Sequence, residues 1–207
     1  MLLYRPVGLK ELELIYDLNF REFPPRLPHQ PYFYPVMNFQ YAAQIASDWN
    51  TGDQASDFVG YVTKFEVEEH YVEQFEPQVV GSSEHKELWI PAEELSLFNS
   101  NIVGSITVEA AFFGEQFTGF IPNSFGLSRK TAHEQFVSLA GTLDYSGFDF
   151  YCEIRANHKA VYLNYLYWRQ KEFSREELSG VSKERVLEAI GDACHSNDIP
   201  PKLKEGD

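Results

Sequence analysis

The chain has 207 residues, and its 31 acidic against 17 basic side chains give a formal net charge of -14. This charge makes non-specific binding to nucleic acid unlikely, because phosphate backbones repel an acidic protein. Two cysteines are too few for a disulfide framework, and we expect two buried thiols; the six histidines lack a zinc-site spacing. No signal peptide and no membrane-spanning apolar run is visible, so we expect a cytoplasmic protein without a bound metal.

The first part of the chain predicts an alternation of strands and helices. Leucine or isoleucine recurs at every third position from 9 to 18, which is typical of a helix with one buried face. Five prolines between positions 24 and 35 exclude a helix there, because proline lacks the backbone donor. The predicted strands are 2–7, 32–34, 58–67, 87–90 and 102–113, and the predicted helices are 9–22, 38–49 and 92–98.

The composition changes after Gly114, and the remainder predicts a smaller α-β-β-α element. Two aromatic-rich segments, 148–154 and 160–168, have the composition of strands, and a helix is predicted on either side of them. Ser174 and Glu177 fit a capping box ahead of the final helix. The predicted order is helix 128–143, strands 148–154 and 160–168, and a last helix that ends at 199–201. We therefore divide the chain into 1–115 and 116–207.

Residues 84–91 are the strongest candidate for chemistry. Side chains alternate along a strand, so His85, Glu87 and Trp89 are expected on one side. A carboxylate beside an imidazole could orient a sugar hydroxyl or stabilise developing positive charge. The alternative is an edge strand whose charges are only solvated.

This run resembles the last active-site strand of the ADP-ribosyltransferases. In that family a glutamate leads into an apolar strand ending in Ile-Pro, as Glu87 does here, and His85 stands at the variable position two residues earlier. Two further segments match in order: Leu3-Tyr4-Arg5 at the first strand, and the aromatic strand 32–36 before an alanine-rich helix. The resemblance is to small bacterial members and covers about residues 2–113.

The resemblance implies an α+β core over 1–115, with a split mixed or antiparallel sheet and flanking helices, followed by the smaller C-terminal element. It implies an NAD-dependent transferase that passes ADP-ribose to an acceptor. The implied catalytic residues are Glu87 and His85, and the implied NAD-contacting residues are Tyr4, Arg5, Tyr34 and Tyr41. The residues themselves leave other roles open, a surface ion pair for Arg5 and a place in the core for Tyr34 and Tyr41.

The acceptor and the partners stay open, because the Ser-Thr-Ser run of arginine-modifying members is replaced by Tyr34-Pro35-Val36. The acceptor is a macromolecule or a small molecule. One alternative is a non-catalytic acidic binding or immunity-type protein that retains the fold, since its charge suits a basic partner. Another is a hydrolase or phosphotransferase acting on a different nucleotide. The C-terminal element covers the cleft, recognises the acceptor or mediates homodimerisation.

Overall fold

The computed structural model describes residues 1–121 and 125–196. The chain divides into two compact units, Met1–Phe117 and Thr118–Asp207. Helices and antiparallel strands are both present, so the predicted α+β class is confirmed. The expected end of the last helix at 199–201 lies outside the described residues.

The first unit contains short helices around antiparallel strands. Its strands are β1 (Leu2–Val7), β2 (Tyr32–Phe33), β3 (Val59–Val67), β4 (Gln78–Val79), β5 (Lys86–Glu87), β6 (Ile90–Pro91) and β7 (Ile102–Phe113). Its α-helices are α1 (Leu9–Asp17), α2 (Phe39–Gln44), α3 (Glu69–Val72) and α4 (Leu95–Ser100), and a π-helical turn, Ile45–Trp49, extends α2. The predicted strands 2–7 and 102–113 are confirmed, whereas the predicted strand 87–90 is two short strands, β5 and β6.

The sheet is antiparallel throughout the described residues of this unit. β3 lies between β1 and β7. A bridge from Tyr4 to Val36, and a second from Val36 to Glu87, continue the pairing from β1 to β5, which pairs with β4. β2 pairs separately with β6. Of the two predicted arrangements, mixed or antiparallel, these strands form the antiparallel one.

The two faces of this sheet carry different side chains. Directly paired residues of an antiparallel ladder point to the same face, and neighbours along a strand point to opposite faces. Tyr4, Val36 and Glu87 therefore share one face, here called the Glu87 face, and Arg5 lies on the other, the Arg5 face. This arrangement separates two of the residues that the family resemblance brings together.

The Glu87 face is partly covered by α2 and the π-helical turn. Val36, Tyr41, Ala42, Ala46 and Val62 form its buried cluster. A Cβ at position 60 of β3 would overlap the carbonyl oxygen of Ala46, so glycine there lets the turn pack directly on the strand.

The Arg5 face is covered by phenylalanine rings. The Phe23 ring lies 4.7 Å from that of Phe65 and 4.8 Å from that of Phe33, between ring centroids. Phe98, on α4, completes the group at 5.3 Å from Phe33. This aromatic core places the proline-rich segment before β2 against the sheet.

The second unit is helical over its described residues, so the predicted α-β-β-α element is wrong. Its helices are α5 (Ala132–Tyr145), α6 (Gly147–Ala156), α7 (His158–Gln170) and α8 (Lys183–Ser196). The predicted strands 148–154 and 160–168 lie in α6 and α7. Their aromatic composition favoured strands, but burial recurs at helical spacing: Phe150 and Ile154 in α6, and Val161, Asn164 and Trp168 in α7.

Capping side chains set the starts of these helices. Thr131 and Glu134 form a capping box at α5, three residues after the predicted start. Ser146 accepts the Asp149 N–H at the start of α6. The predicted box at Ser174 does form, with Glu177 as its partner, but it opens a separate turn before α8. Among the helices of the described residues, none is both long and apolar enough to cross a membrane.

The two cysteines differ in exposure. Both are free thiols; Cys194 is buried in α8, but Cys152 is exposed on α6, so the expectation of two buried thiols is wrong for Cys152. In α6 the Cys152 side chain points to solvent, while Phe150 and Ile154 point to the core. The predicted strand did not determine which face Cys152 would occupy.

Burial raises the pKa of the Cys194 thiol from 9.0 to about 11. Because the native thiol keeps its proton to higher pH than the unfolded one, its stabilising contribution is complete below pH 9 and is lost as the pH rises towards 11. We expect the free energy of unfolding, measured by urea titration, to fall across this range less steeply in Cys194→Ala. Cys152→Ala is the matched control and keeps the wild-type slope; equal slopes in all three proteins would contradict the prediction.

Candidate functional site

The Glu87 carboxylate is held by the strand that carries it and by a neighbouring indole. The backbone of β5 is fixed because the Leu88 N–H donates to the Pro35 carbonyl oxygen at 2.9 Å, and the Met37 N–H donates to the Lys86 carbonyl oxygen at 3.0 Å. The side chain is half-buried, and its Oε1 accepts the Trp89 Nε1–H at 2.7 Å. Glu87 and Trp89 thus lie on one side of the strand, as predicted from the alternation.

Tyr41 and His85 form a stacked pair next to this carboxylate. Their ring centroids are 4.2 Å apart and their planes differ by 5°. Asn38 positions both partners: its Oδ1 accepts the Tyr41 N–H at 2.8 Å, and its Nδ2 donates to the Glu84 carbonyl oxygen at 2.6 Å. One amide therefore joins the start of α2 to the segment that precedes β5.

Electrostatics connect the Tyr41 hydroxyl with Glu87. Burial raises the pKa of Tyr41 above its ordinary value of 10, and the negative charge of Glu87 raises it further. The hydroxyl therefore keeps its proton at neutral pH. Tyr41 is only 4% exposed and belongs to the buried cluster of the Glu87 face, the place in the core that the sequence left open for it.

Three aromatic rings form a partly exposed surface beside the carboxylate. The Trp89 ring centroid lies 5.8 Å from that of Tyr32 and 5.9 Å from that of Tyr34, and the two tyrosine rings are 6.0 Å apart. Trp89 is 44% exposed. Aromatic faces of this kind stack on planar or sugar rings, while the carboxylate accepts hydrogen bonds from hydroxyls.

Arg5, predicted to contact NAD, does not join this group. Its guanidinium binds the Glu11 carboxylate through Nε at 2.7 Å and Nη2 at 3.1 Å, and donates from Nη1 to the Tyr34 carbonyl oxygen at 3.3 Å. It also lies 4.6 Å over the Phe33 ring. Arg5 forms an ion pair, as one alternative considered from sequence had it, but the pair is buried and not on the surface.

Tyr4 lies on the Glu87 face but packs inward. Its ring contacts Phe39 edge-on, with centroids 5.9 Å apart. Of the six predicted residues, Glu87, His85 and Tyr41 therefore come together, Tyr34 reaches them through Trp89, and Tyr4 and Arg5 are engaged elsewhere.

Asn38 and Tyr32 are site residues that sequence reasoning missed in this role. Asn38 stands at the start of the predicted helix 38–49, but its bond to residue 84 spans 46 positions and has no sequence signal. The Tyr32 ring was assigned only to a strand. The described residues contain no group of three or more His, Cys, Asp or Glu side chains that could hold a metal ion.

Comparison with protein-family models, with curated proteins and with solved structures finds no match to this chain.

Proposed function

We propose that the protein transfers ADP-ribose from NAD to an acceptor, with Glu87 as the catalytic residue. The observation that carries the proposal is the accessible Glu87 carboxylate beside an exposed indole and a stacked Tyr41–His85 pair. An anionic side chain next to aromatic surfaces suits a ligand that combines a planar cationic ring with a ribose.

In the proposed reaction the bond between ribose C1′ and the nicotinamide nitrogen breaks, and its electron pair leaves with nicotinamide. The ribose becomes oxocarbenium-like, and the Glu87 carboxylate stabilises that charge more strongly in the transition state than in the ground state. An acceptor nucleophile then bonds to C1′ and releases a proton. The Trp89 N–H orients the carboxylate, and the buried Tyr41 ring supports the His85 ring by stacking.

The proposed NAD contacts differ from those that the family resemblance implies. Tyr34 and Trp89 offer accessible side chains on the side of Glu87, whereas Tyr41 is buried. Arg5 is left in a structural role, because all three of its guanidinium nitrogens already donate to Glu11 or Tyr34. His85 supports the Tyr41 ring by stacking and is proposed as a positioning residue.

Incubation with NAD tests this proposal directly. We expect nicotinamide release by the purified protein, and transfer of labelled ADP-ribose to material in a cell lysate, because the proposed site supplies the charge that bond cleavage needs. Both products are measured by chromatography against a protein-free control. Absence of both, with the protein folded and NAD in excess, would overturn the proposal.

A second function, binding a protein partner without catalysis, is favoured by a different observation. Large aromatic residues of the second unit lie in solvent: Phe125 is 78%, Tyr145 85% and Phe148 76% exposed. Exposed rings of this size are common at protein interfaces. This function is supported if a pull-down retrieves one stoichiometric partner while calorimetry detects no NAD binding, and the transferase proposal then fails.

A further inference from the structure

A single carboxylate serves two arginines on the Arg5 side of the first unit. Glu11 binds Arg5 through two short hydrogen bonds, and the Nη1 of Arg26 lies 3.8 Å from the same carboxylate. The Arg5, Arg26 and Glu11 side chains are only 9%, 10% and 22% exposed. Two positive charges and one negative charge leave this sheltered group with a net charge of +1.

Both arginines donate hydrogen bonds to backbone carbonyl oxygens that receive no hydrogen bond from the backbone of β1. Continued from the Tyr4–Val36 bridge, the antiparallel register brings Pro6 opposite Tyr34. Proline has no N–H to donate, so the Tyr34 carbonyl oxygen accepts from Arg5 instead. Tyr32 lies two residues before Tyr34, where the opposite chain has already left β1 and entered α1. The Tyr32 carbonyl oxygen accepts instead from the Nε of Arg26, at 3.2 Å.

Arg26 has donor capacity left over after this contact. Among the described residues, its terminal nitrogens form no hydrogen bond; the Glu11 carboxylate lies 3.8 Å from Nη1 and already accepts from Arg5. Burial lowers the pKa of Arg26, and the neighbouring Arg5 charge lowers it further. The guanidinium is charged, as arginine is in proteins, its direction is fixed by the bond to Tyr32, and its terminal nitrogens have no hydrogen-bonded acceptor among the described residues.

We propose that the terminal guanidinium nitrogens of Arg26 bind a phosphate group. The planar fork of a guanidinium matches two oxygens of a phosphate, and one such anion cancels the remaining charge of the group. Glu11 does not repel the anion strongly, because its own charge is matched by Arg5 at 2.7 Å.

The phosphate site and the aromatic surface of the candidate site lie on opposite faces of the sheet. Tyr32 links them: its carbonyl oxygen accepts from Arg26, and its ring lies 5.8 Å from Trp89, whose indole binds Glu87. The phosphate site stands on the charges and contacts of Arg26, whereas its assignment to the phosphates of NAD rests on the proposed function.

Calorimetric titration of the full chain tests the site with three probes: inorganic phosphate, AMP and ADP-ribose, at constant ionic strength. We expect Arg26→Met to weaken probe binding by about tenfold or more, because a charge-assisted pair is lost. Arg21→Met is the matched control, since Arg21 is an exposed arginine of the same unit that donates to the Gly104 carbonyl oxygen. It keeps wild-type affinity. Arg26→Lys serves if the methionine variant does not fold; it retains the charge but not the fork, so weaker binding is again expected.

The outcomes separate the site from the enzyme. Binding of inorganic phosphate but not ADP-ribose, dependent on Arg26, supports the site with free phosphate as its source. Binding of AMP and ADP-ribose as well supports a nucleotide. Arg26-dependent binding by a wild-type protein that releases no nicotinamide from NAD retains the site while the transferase proposal fails. No binding of any probe by the wild type, or unchanged affinity in the folded Arg26 variants, overturns the inference.

Discussion

Glu87→Gln is expected to lower the rate of nicotinamide release from NAD by about 10²–10³-fold, the usual effect of removing one electrostatic group aimed at the reacting centre. The amide is nearly isosteric with the carboxylate, and its oxygen can still accept the Trp89 Nε1–H that Oε1 accepts at 2.7 Å in the wild type. Only the negative charge is lost. The melting temperature is therefore expected to stay close to the wild-type value, and NAD binding to weaken far less than the rate falls.

The comparison needs a carboxylate that lies away from the site. Glu73→Gln makes the same chemical change on an exposed side chain at the end of α3 and is expected to keep wild-type activity. Initial rates of nicotinamide release at saturating NAD decide between the variants. If Glu87→Gln retained the wild-type rate while folded, Glu87 would not be the catalytic residue.

Glu11→Gln is expected to reduce the free energy of unfolding of the first unit by about 3–5 kcal/mol, as when one partner of a buried ion pair is removed. The carboxylate accepts two hydrogen bonds from Arg5 and lies 3.8 Å from Arg26. A neutral amide would leave two buried guanidiniums facing each other. Urea unfolding followed by tryptophan fluorescence measures the loss, since Trp49 and Trp89 belong to this unit and Trp168 reports on the second.

An exposed ion pair supplies the control for this measurement. Glu188→Gln breaks the ion pair between Arg185 and Glu188, whose side chains are 58% and 65% exposed. This change is expected to lower the free energy of unfolding by less than about 1 kcal/mol. Both variants replace a carboxylate by an amide, so the difference between their losses of unfolding free energy measures the effect of burying the ion pair. Equal, small losses in the two variants would show that the Glu11 carboxylate does not stabilise the arginine pair.

Local pattern predicted much of the first unit. Strands with alternating or β-branched residues, such as 102–113, were recognised because each carries its own periodicity. The same reasoning placed Glu87 and Trp89 on one side of a short strand, where they form a hydrogen bond. The sequence did not identify Arg26 as a binding residue. Its contacts with Glu11 and Tyr32 are visible only in the tertiary structure.

Aromatic composition misled the prediction for the second unit. Rings favour strands on average, but Phe150 and Trp168 are buried at helical spacing against other helices. The serine cap at position 146 was the local signal that could have corrected this. The aromatic composition of 148–154 and 160–168 therefore predicted strands, although their spacing of buried residues and the Ser146 cap indicate the helices α6 and α7.

The sequence by itself determined the α+β class, the bounds of the longest strands and the residues able to carry charge, because these depend on neighbours within a few positions. The tertiary structure alone decided which of those residues meet. Side-chain direction along a strand is local, but which face it shares with a distant strand depends on register. The bridges at Val36 align Glu87 with Tyr4 and turn Arg5 to the opposite face, where Glu11 and the Tyr34 carbonyl occupy it.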